Sequence, residues 1–207
     1  MTVNFVSLGE STSYYRFSAS TLAEALLRMT RLGPSDGDGH HAADCDMRAD
    51  IMHGLQTGIV SGTTQHSPEL GWMATAQISQ ATFRYGFVFR FPHWTNIARL
   101  TRPVQAEWGR YTTCLWTHER GHVTTAMTVL RQFLAEFRNL RITGTGASAQ
   151  AAEADAQRNL RTQVSDVFDR LAFRNQQASN RYDARTRHGR TQGAQLRTTL
   201  RRGSRNQ

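Results

Sequence analysis

The sequence predicts an α+β fold: a small antiparallel sheet packed on one long helix, with a second helix antiparallel to the first. Three features carry that expectation. In "ATFRYGFVFRF" (81–91), Phe83, Tyr85, Phe87, Phe89 and Phe91 fall on one face, with Arg84, Val88 and Arg90 on the other. This period of two marks a strand with one buried side. From Pro103 to about Leu140, Trp108, Tyr111, Leu115, Met127, Leu130, Phe133, Leu134, Phe137 and Leu140 recur at helical spacing. After the break "TGTGAS" (143–148), Leu160, Val164, Val167, Phe168 and Leu171 repeat that spacing over about 148–178.

The remaining elements follow from local signals. "YYRFS" (14–18) reads as a short strand. "TLAEALLRMTRLGP" (21–34) reads as a helix, opened by the Thr21/Glu24 capping box and stopped by Gly33-Pro34. "SDGDGHHAADCD" (35–46) is dense in oxygen and nitrogen donors but lacks the closing glutamate of a calcium loop, so it reads as a solvated loop. Residues 72–79 are expected to form a hairpin with the aromatic strand, and "FPHW" (91–94) to end it. Pro103 suits the first turn of the long helix. "NRYDARTRHGRTQGA" (180–194) has no periodicity and reads as irregular. With 207 residues, 39% of them hydrophobic, the chain can build one core of ordinary size. A single domain over 1–194 is expected, followed by a basic, disordered tail over 195–207.

Composition narrows the chemistry. All 25 basic residues are arginine, so Schiff-base lysine chemistry and a lysine general base are excluded. The net charge is +9, and its positive part is insensitive to pH for the same reason. The arginines are dispersed and form no recognised nucleic-acid-binding motif, which argues against a nucleic-acid partner. Cys45 and Cys114 are too few for a disulfide scaffold and are expected as buried free thiols. No signal peptide is visible and no apolar run is long enough to span a bilayer. The expectation is therefore no membrane partner and a cytoplasmic location as written, or a secreted or periplasmic one if a leader has been removed.

The chemistry concentrates in "CLWTHERGHVTTAM" (114–127). Residues four apart share a helix face, so His118 and His122 can direct their imidazoles at one point, and zinc accepts two such nitrogens one turn apart. Glu119 can reach a water in an open coordination position and move its proton. The alternative is a pair of core histidines satisfied by protein partners. The apolar setting of the motif favours a metal, because two buried imidazoles on one face need partners. Gly121, between them, costs the helix about 1 kcal/mol relative to alanine. Its presence suggests that something approaches closely there. A catalytic zinc site needs a third protein ligand. The spacing H-E-x-x-H-x-x-G-x-x-H is not met. Candidates are Asp166 and Asp169 on an antiparallel second helix, Glu153 nearer its loop end, Asp183 or His188 on the irregular segment, and Cys114 one turn before His118.

"LWTHERGHVTTA", followed some sixty residues later by "NRYDARTRHGRTQGA", resembles a bacterial family called domain of unknown function 922, described as predicted, usually secreted, zinc-dependent proteases with the HExxH motif. The resemblance extends to "YYRFSASTLAEAL", "FPHW", "EWGRYTTCLWTHERGH" and "YDARTRHGRTQG", and so spans about residues 14–194. It implies a zincin-like, metalloprotease-like domain with Tyr182, Asp183, Thr186, His188, Gly189 and Gln192 near the metal. Within that set His188 is the expected third ligand and Asp183 the acceptor of an imidazole N–H. Tyr182 is the expected hydrogen-bond donor to a reaction oxyanion.

Three functions are consistent with this reading. The first is a zinc-dependent metallohydrolase, a peptidase in which Glu119 is the general base. The second is a non-proteolytic metalloenzyme acting on a small or peptidic biosynthetic intermediate. The third is a basic protein binding nucleic acid or an acidic partner, its histidines structural. An open cleft beside an exposed strand edge would favour a peptide substrate, and a closed apolar pocket a small molecule. The strand through Phe83–Phe91 is where that difference is expected.

Overall fold

The computed structural model describes residues 2–36 and 39–200. Its elements in chain order are β1 (Thr2–Phe17), α1 (Leu22–Leu32), β2 (Ser35–Asp36), β3 (Gly39–His40), β4 (Asp44–Ile59), β5 (Gln65–Ser67), β6 (Gly71–Trp94), α2 (Arg102–Arg138), β7 (Arg141–Gly146) and α3 (Ala149–Thr186). Single 3-10 turns lie at Ile97–Arg99 and Arg190–Gln192. One five-stranded sheet runs in the order β1–β6–β4, with β5 and β7 also paired to β6, while β2 and β3 form a small antiparallel pair. The α+β class is as the sequence predicts. The chain divides into two compact units. One comprises the chain up to Gly9, Arg48–Gly86 and Thr125–Ala178; the other comprises Glu10–Met47, Phe87–Thr124 and the chain from Ser179 onward.

In the first unit the aromatic face of β6 meets apolar stripes of both long helices. Phe83 is fully buried, its ring 5.5 Å from Phe133 of α2 and 6.2 Å from Phe168 of α3. β6 is one continuous strand where a hairpin at 72–79 was expected. Ala74, Ala76 and Ile78, then Ala81 and Phe83, are fully buried, so the strand runs on without a turn while its buried face shifts by one residue between Ile78 and Ala81. The hairpin partner is instead β5, which pairs Gln65–Ser67 with Met73–Gly71. The "TGTGAS" break also proves to hold a strand. β7 pairs antiparallel with β6 from Trp72↔Gly146 to Gln77↔Arg141. Its glycines admit the backbone of α3: a Cβ on Gly146 would lie 2.6 Å from Ala152 N, and one on Gly144 would overlap Ala156 N.

In the second unit Phe17, Trp94 and Trp108 form a buried cluster, with Trp94 Nε1 donating to Asn96 Oδ1 at 2.9 Å. The Trp116 ring of α2 stacks 4.0 Å from that of Phe91. The strand expected at 14–18 is the end of the longer β1. α1 is capped as its sequence implies, with Thr21 Oγ1 accepting from Glu24 N at 3.1 Å. α3 does not stop near 178. It continues through Thr186, so most of the segment expected to be irregular is helical, with Ser179, Tyr182, Asp183 and Thr186 along one face. Hydrophobic periodicity fails there because that face carries polar groups. Of the tail expected from 195, Leu196 is buried and Arg197 N donates to Glu107 Oε1 at 2.8 Å, while 201–207 lie outside the described residues. Cys45 and Cys114 are free thiols, half-buried where full burial was expected. Among the described residues no helix is long and apolar enough to cross a membrane.

The fit of β7 to α3 sets an expected stability loss. Gly144→Ala forces a methyl into the α3 backbone, and unfolding by denaturant should show a loss of about 2 kcal/mol or more. A change within a few tenths of a kcal/mol would mean that the close approach is not what holds these elements in register.

Candidate metal centre

His118 and His122 sit one turn apart on α2, and α3 crosses antiparallel to them: Tyr182 stacks on His118, while Ser179 meets His122. Three donor atoms converge. His118 Nε2 and His122 Nε2 are 3.4 Å apart, and each is 3.2 Å from Asp183 Oδ1. Ligands about 2.0–2.1 Å from a tetrahedral zinc ion lie about 3.3–3.4 Å from one another, so the spacing is that of one face of such a site. Among the described residues these three form a group able to hold a metal ion.

The far side of each ring is also occupied. His118 Nδ1 lies 3.0 Å from Gln192 Oε1, which can only accept. A proton on Nδ1 satisfies that acceptor and leaves Nε2 to the cluster: protonated, it donates to Asp183 Oδ1, and deprotonated, it offers a lone pair to a metal ion. Gln192 Nε2 in turn donates to the Tyr182 hydroxyl at 3.0 Å, and that hydroxyl donates to the His118 carbonyl at 3.1 Å. Ser179 Oγ is 2.9 Å from His122 Nδ1. Each imidazole is thus held at its outer nitrogen, the arrangement that orients metal-bound histidines.

Glu119 is buried, and burial pushes its carboxyl up to about 7 against the lowering influence of His118 and His122. Asp183 goes the other way. Its partial burial would raise it, but hydrogen bonds to His118 and His122 outweigh that and hold it well below the usual carboxylate range. Burial alone would lower His118, yet the Asp183 hydrogen bond and the Glu119 charge leave it raised.

Gly121 makes the arrangement sterically possible. A Cβ there would overlap the Tyr182 hydroxyl, so the close approach implied by the sequence is that of Tyr182. Beyond α3 the chain reverses through Arg187 and His188, both at positive φ (51° and 52°), and Gly189 at 77°. A strap then returns along α2. Arg110, paired with Glu107 at 2.6 Å, donates to Gly193 O and Gln195 O, each at 2.7 Å.

The structure brings His118, Glu119, His122, Tyr182 and Asp183 to one place. Asp183, kept in the sequence reading as a partner or alternative ligand, is the third member of the donor group. His188, expected as third ligand, is not a member. Its Nδ1 is 4.0 Å from Asp183 Oδ1 and its side chain is 67% exposed, because it sits in the turn past the helix end. Tyr182, expected as an oxyanion donor, spends its hydroxyl proton on the His118 carbonyl. Asp166 and Asp169 belong to the other unit, where Asp166 Oδ2 accepts from Gln163. Their candidacy rested on a helix ending near 178, and the longer α3 supplies Ser179 and Asp183 instead. Sequence reasoning missed Ser179 altogether. The spacing Ser179/Tyr182/Asp183/Thr186 (i, i+3, i+4, i+7) was the available signal.

Two outcomes are expected from this geometry. Alanine is the better helix former by about 1 kcal/mol, yet Gly121→Ala should destabilise the protein, because the methyl displaces Tyr182. Thermal unfolding is the check, and a rise in Tm would remove Gly121 from the account. Arg110, more than its own burial, holds the Glu107 carboxyl below its ordinary range. Its stabilisation is full above the unfolded pKa of about 4.3 and is lost as pH falls through the lower folded value. Glu107→Gln should therefore flatten the acid limb of a stability-against-pH curve, and an unchanged limb would show that the pair contributes nothing.

No curated protein and no solved structure is similar enough to this chain to match it. A family model does match, over residues 12–189, a span that takes in both histidines, Glu119 and Asp183 and ends just short of Gln192. The chain belongs to that family, described as bacterial protein of unknown function (DUF922).

Proposed function

We propose that this chain is a zinc-dependent hydrolase that cleaves peptide bonds, with Glu119 as general base. The observation that carries the reading is the convergence of His118 Nε2, His122 Nε2 and Asp183 Oδ1 at 3.2–3.4 Å beside a buried carboxylate. Three protein donors leave one position of a tetrahedral ion for water or substrate, the composition of a catalytic zinc site. Zinc bound there would supply Lewis acidity, lowering the pKa of the water it holds to about 7 and polarising a carbonyl.

The rest belongs to the chain. His118 and His122 direct their Nε2 atoms at one point beside Asp183, kept in orientation by Gln192 and Ser179. Asp183 contributes one negative charge to the donor group. Glu119, with its carboxyl near 7, can accept a proton from the attacking water and return it to the leaving amine. That value is close to the optimum for a group that must do both near neutral pH. β6 has β1 on one side and β4 on the other. β4 begins at Asp44, whose charge helps to raise Glu119, so an extended substrate would run beside β4. A small-molecule hydrolase on the same donors is the second reading, and the choice of substrate separates the two.

Glu119→Gln should keep one zinc per chain by elemental analysis and lose about 10²- to 10⁴-fold in the hydrolysis of a fluorogenic peptide library. His122→Ala should lose the zinc. Near-full activity in Glu119→Gln would exclude it as the base. Purified protein that takes up no zinc after metal-free preparation and reloading would sink the metal reading as a whole. Zinc uptake without peptide turnover would turn the search to small-molecule amides and esters.

A further inference from the structure

The residues after α3 do more than end the chain. From Arg187 to Arg197 they form a strap that touches α2 at three levels. At the first, Gly189 lies against His118: a Cβ there would be 3.0 Å from His118 Cγ and 2.8 Å from Ala194 Cβ. At the second, Gln192 Oε1 accepts from His118 Nδ1. At the third, Gly193 faces Cys114, where a Cβ would lie 3.1 Å from Sγ, and the Glu107–Arg110 pair takes the strap backbone at Gly193, Gln195 and Arg197. Leu196 is buried beside that clamp in sequence. Arg110 and Glu107 are two and three helical turns from His118 and belong to no donor group, so they cannot act on the cluster directly.

We propose that this strap is a positioning device for the metal centre: its docking on α2 through Glu107 and Arg110 sets the metal affinity of His118, His122 and Asp183 by holding the Gln192 carbonyl on His118 Nδ1. The inference rests on the proposed metal-dependent function and adds residues to it that touch neither metal nor substrate. The physical reason is tautomer and ring orientation. Without an acceptor at Nδ1, the His118 proton can sit on Nε2 and the ring is free to rotate, so part of the population presents no lone pair to the cluster. The loss of such an outer partner typically weakens metal binding 10- to 100-fold. Because binding is linked, the effect is reciprocal: whatever factor the docked strap adds to metal affinity, bound metal adds to strap docking.

The test uses the full chain and Zn²⁺ in competition with a chromophoric chelator, with Co²⁺ absorption as the report on coordination geometry. Gln192→Leu and Arg110→Met should each weaken Zn²⁺ binding 10- to 100-fold, whereas Gln192→Glu, which keeps an acceptor at Nδ1, should stay within a few-fold of wild type. Gly193→Val, which lifts the strap without removing a polar group, should behave like Arg110→Met. Circular dichroism identifies any variant that fails to fold, and Gln192→Glu against Gln192→Leu then decides alone. Trypsin gives the reciprocal measurement, because Arg187, Arg190 and Arg197 are exposed. Zn²⁺ should slow cleavage in the strap of the wild-type chain and leave His122→Ala unaffected. Wild-type affinity in a folded Gln192→Leu or Arg110→Met, or strap cleavage indifferent to Zn²⁺ in a wild-type chain that binds it, would overturn the strap's role and leave the metal centre standing. A wild-type chain that binds no Zn²⁺ would instead overturn the metal centre and the strap's role together.

Discussion

The contact on which the centre depends is that of Tyr182 of α3 against Gly121 of α2. A side chain of any size at 121 would occupy the space of the Tyr182 hydroxyl, so the helices reach this separation only because the residue between the histidines has none. The gain exceeds the propensity loss. At about 1 kcal/mol, the glycine admits a ring that stacks 5.2 Å from His118 and meets His122 edge-on at 4.8 Å. It also brings the next residue, Asp183, within 3.2 Å of both Nε2 atoms. A carboxylate delivered by a helix, one residue from a wedged aromatic ring, has few rotamers left to explore, which is what a fixed ligand requires.

Two carboxylates within one small region are pushed in opposite directions. Asp183 faces two imidazoles and is held ionised. Glu119, next to His118 in sequence, projects into a buried setting with Asp44 as a nearby like charge, so its carboxyl rises to about 7. A permanently charged carboxylate suits a cation ligand, and one that exchanges its proton near neutrality suits an acid–base role. The polar order along Thr117–His118–Glu119 does not decide this; the difference arises from what α3 and the start of β4 put against each side chain.

What could be read in advance follows the same division. The His118/His122 pair was legible because α2 is long, periodic and apolar around it, and so was the alternation of Phe83–Phe91. The third member of the donor group was not. "NRYDARTRHGRTQGA" carries no hydrophobic period, so it reads as irregular, and on an irregular segment a histidine before glycine is the natural donor. In the structure the helix persists to Thr186, because the face that would be apolar in a core helix is here turned to the cluster. That makes Ser179, Tyr182 and Asp183 its inward residues and leaves His188 in the turn beyond. β7 was hidden for a related reason. Gly144 and Gly146 look like a break, yet they are the positions at which α3 lies on the strand. In β7 the sequence signal was inverted by close packing, a missing side chain marking contact and not exposure; in α3 it was hidden because polar residues stand on the packed face.

Glycine serves the same purpose around His118 itself. Gly121 admits Tyr182, Gly189 lies against the His118 ring, and Gly193 lies against Cys114 one turn away. Two of these three also hold positive φ, where a side chain would add strain to overlap. The imidazole is therefore bounded by Gly189, by the Tyr182 ring and by the hydrogen-bonded Gln192 amide. Backbone that leaves no room for a Cβ also leaves little room for the ring to shift. This explains why a clamp as distant as Glu107–Arg110 matters to the site: a rigid strap transmits its anchoring to Gln192, which a loose one could not do.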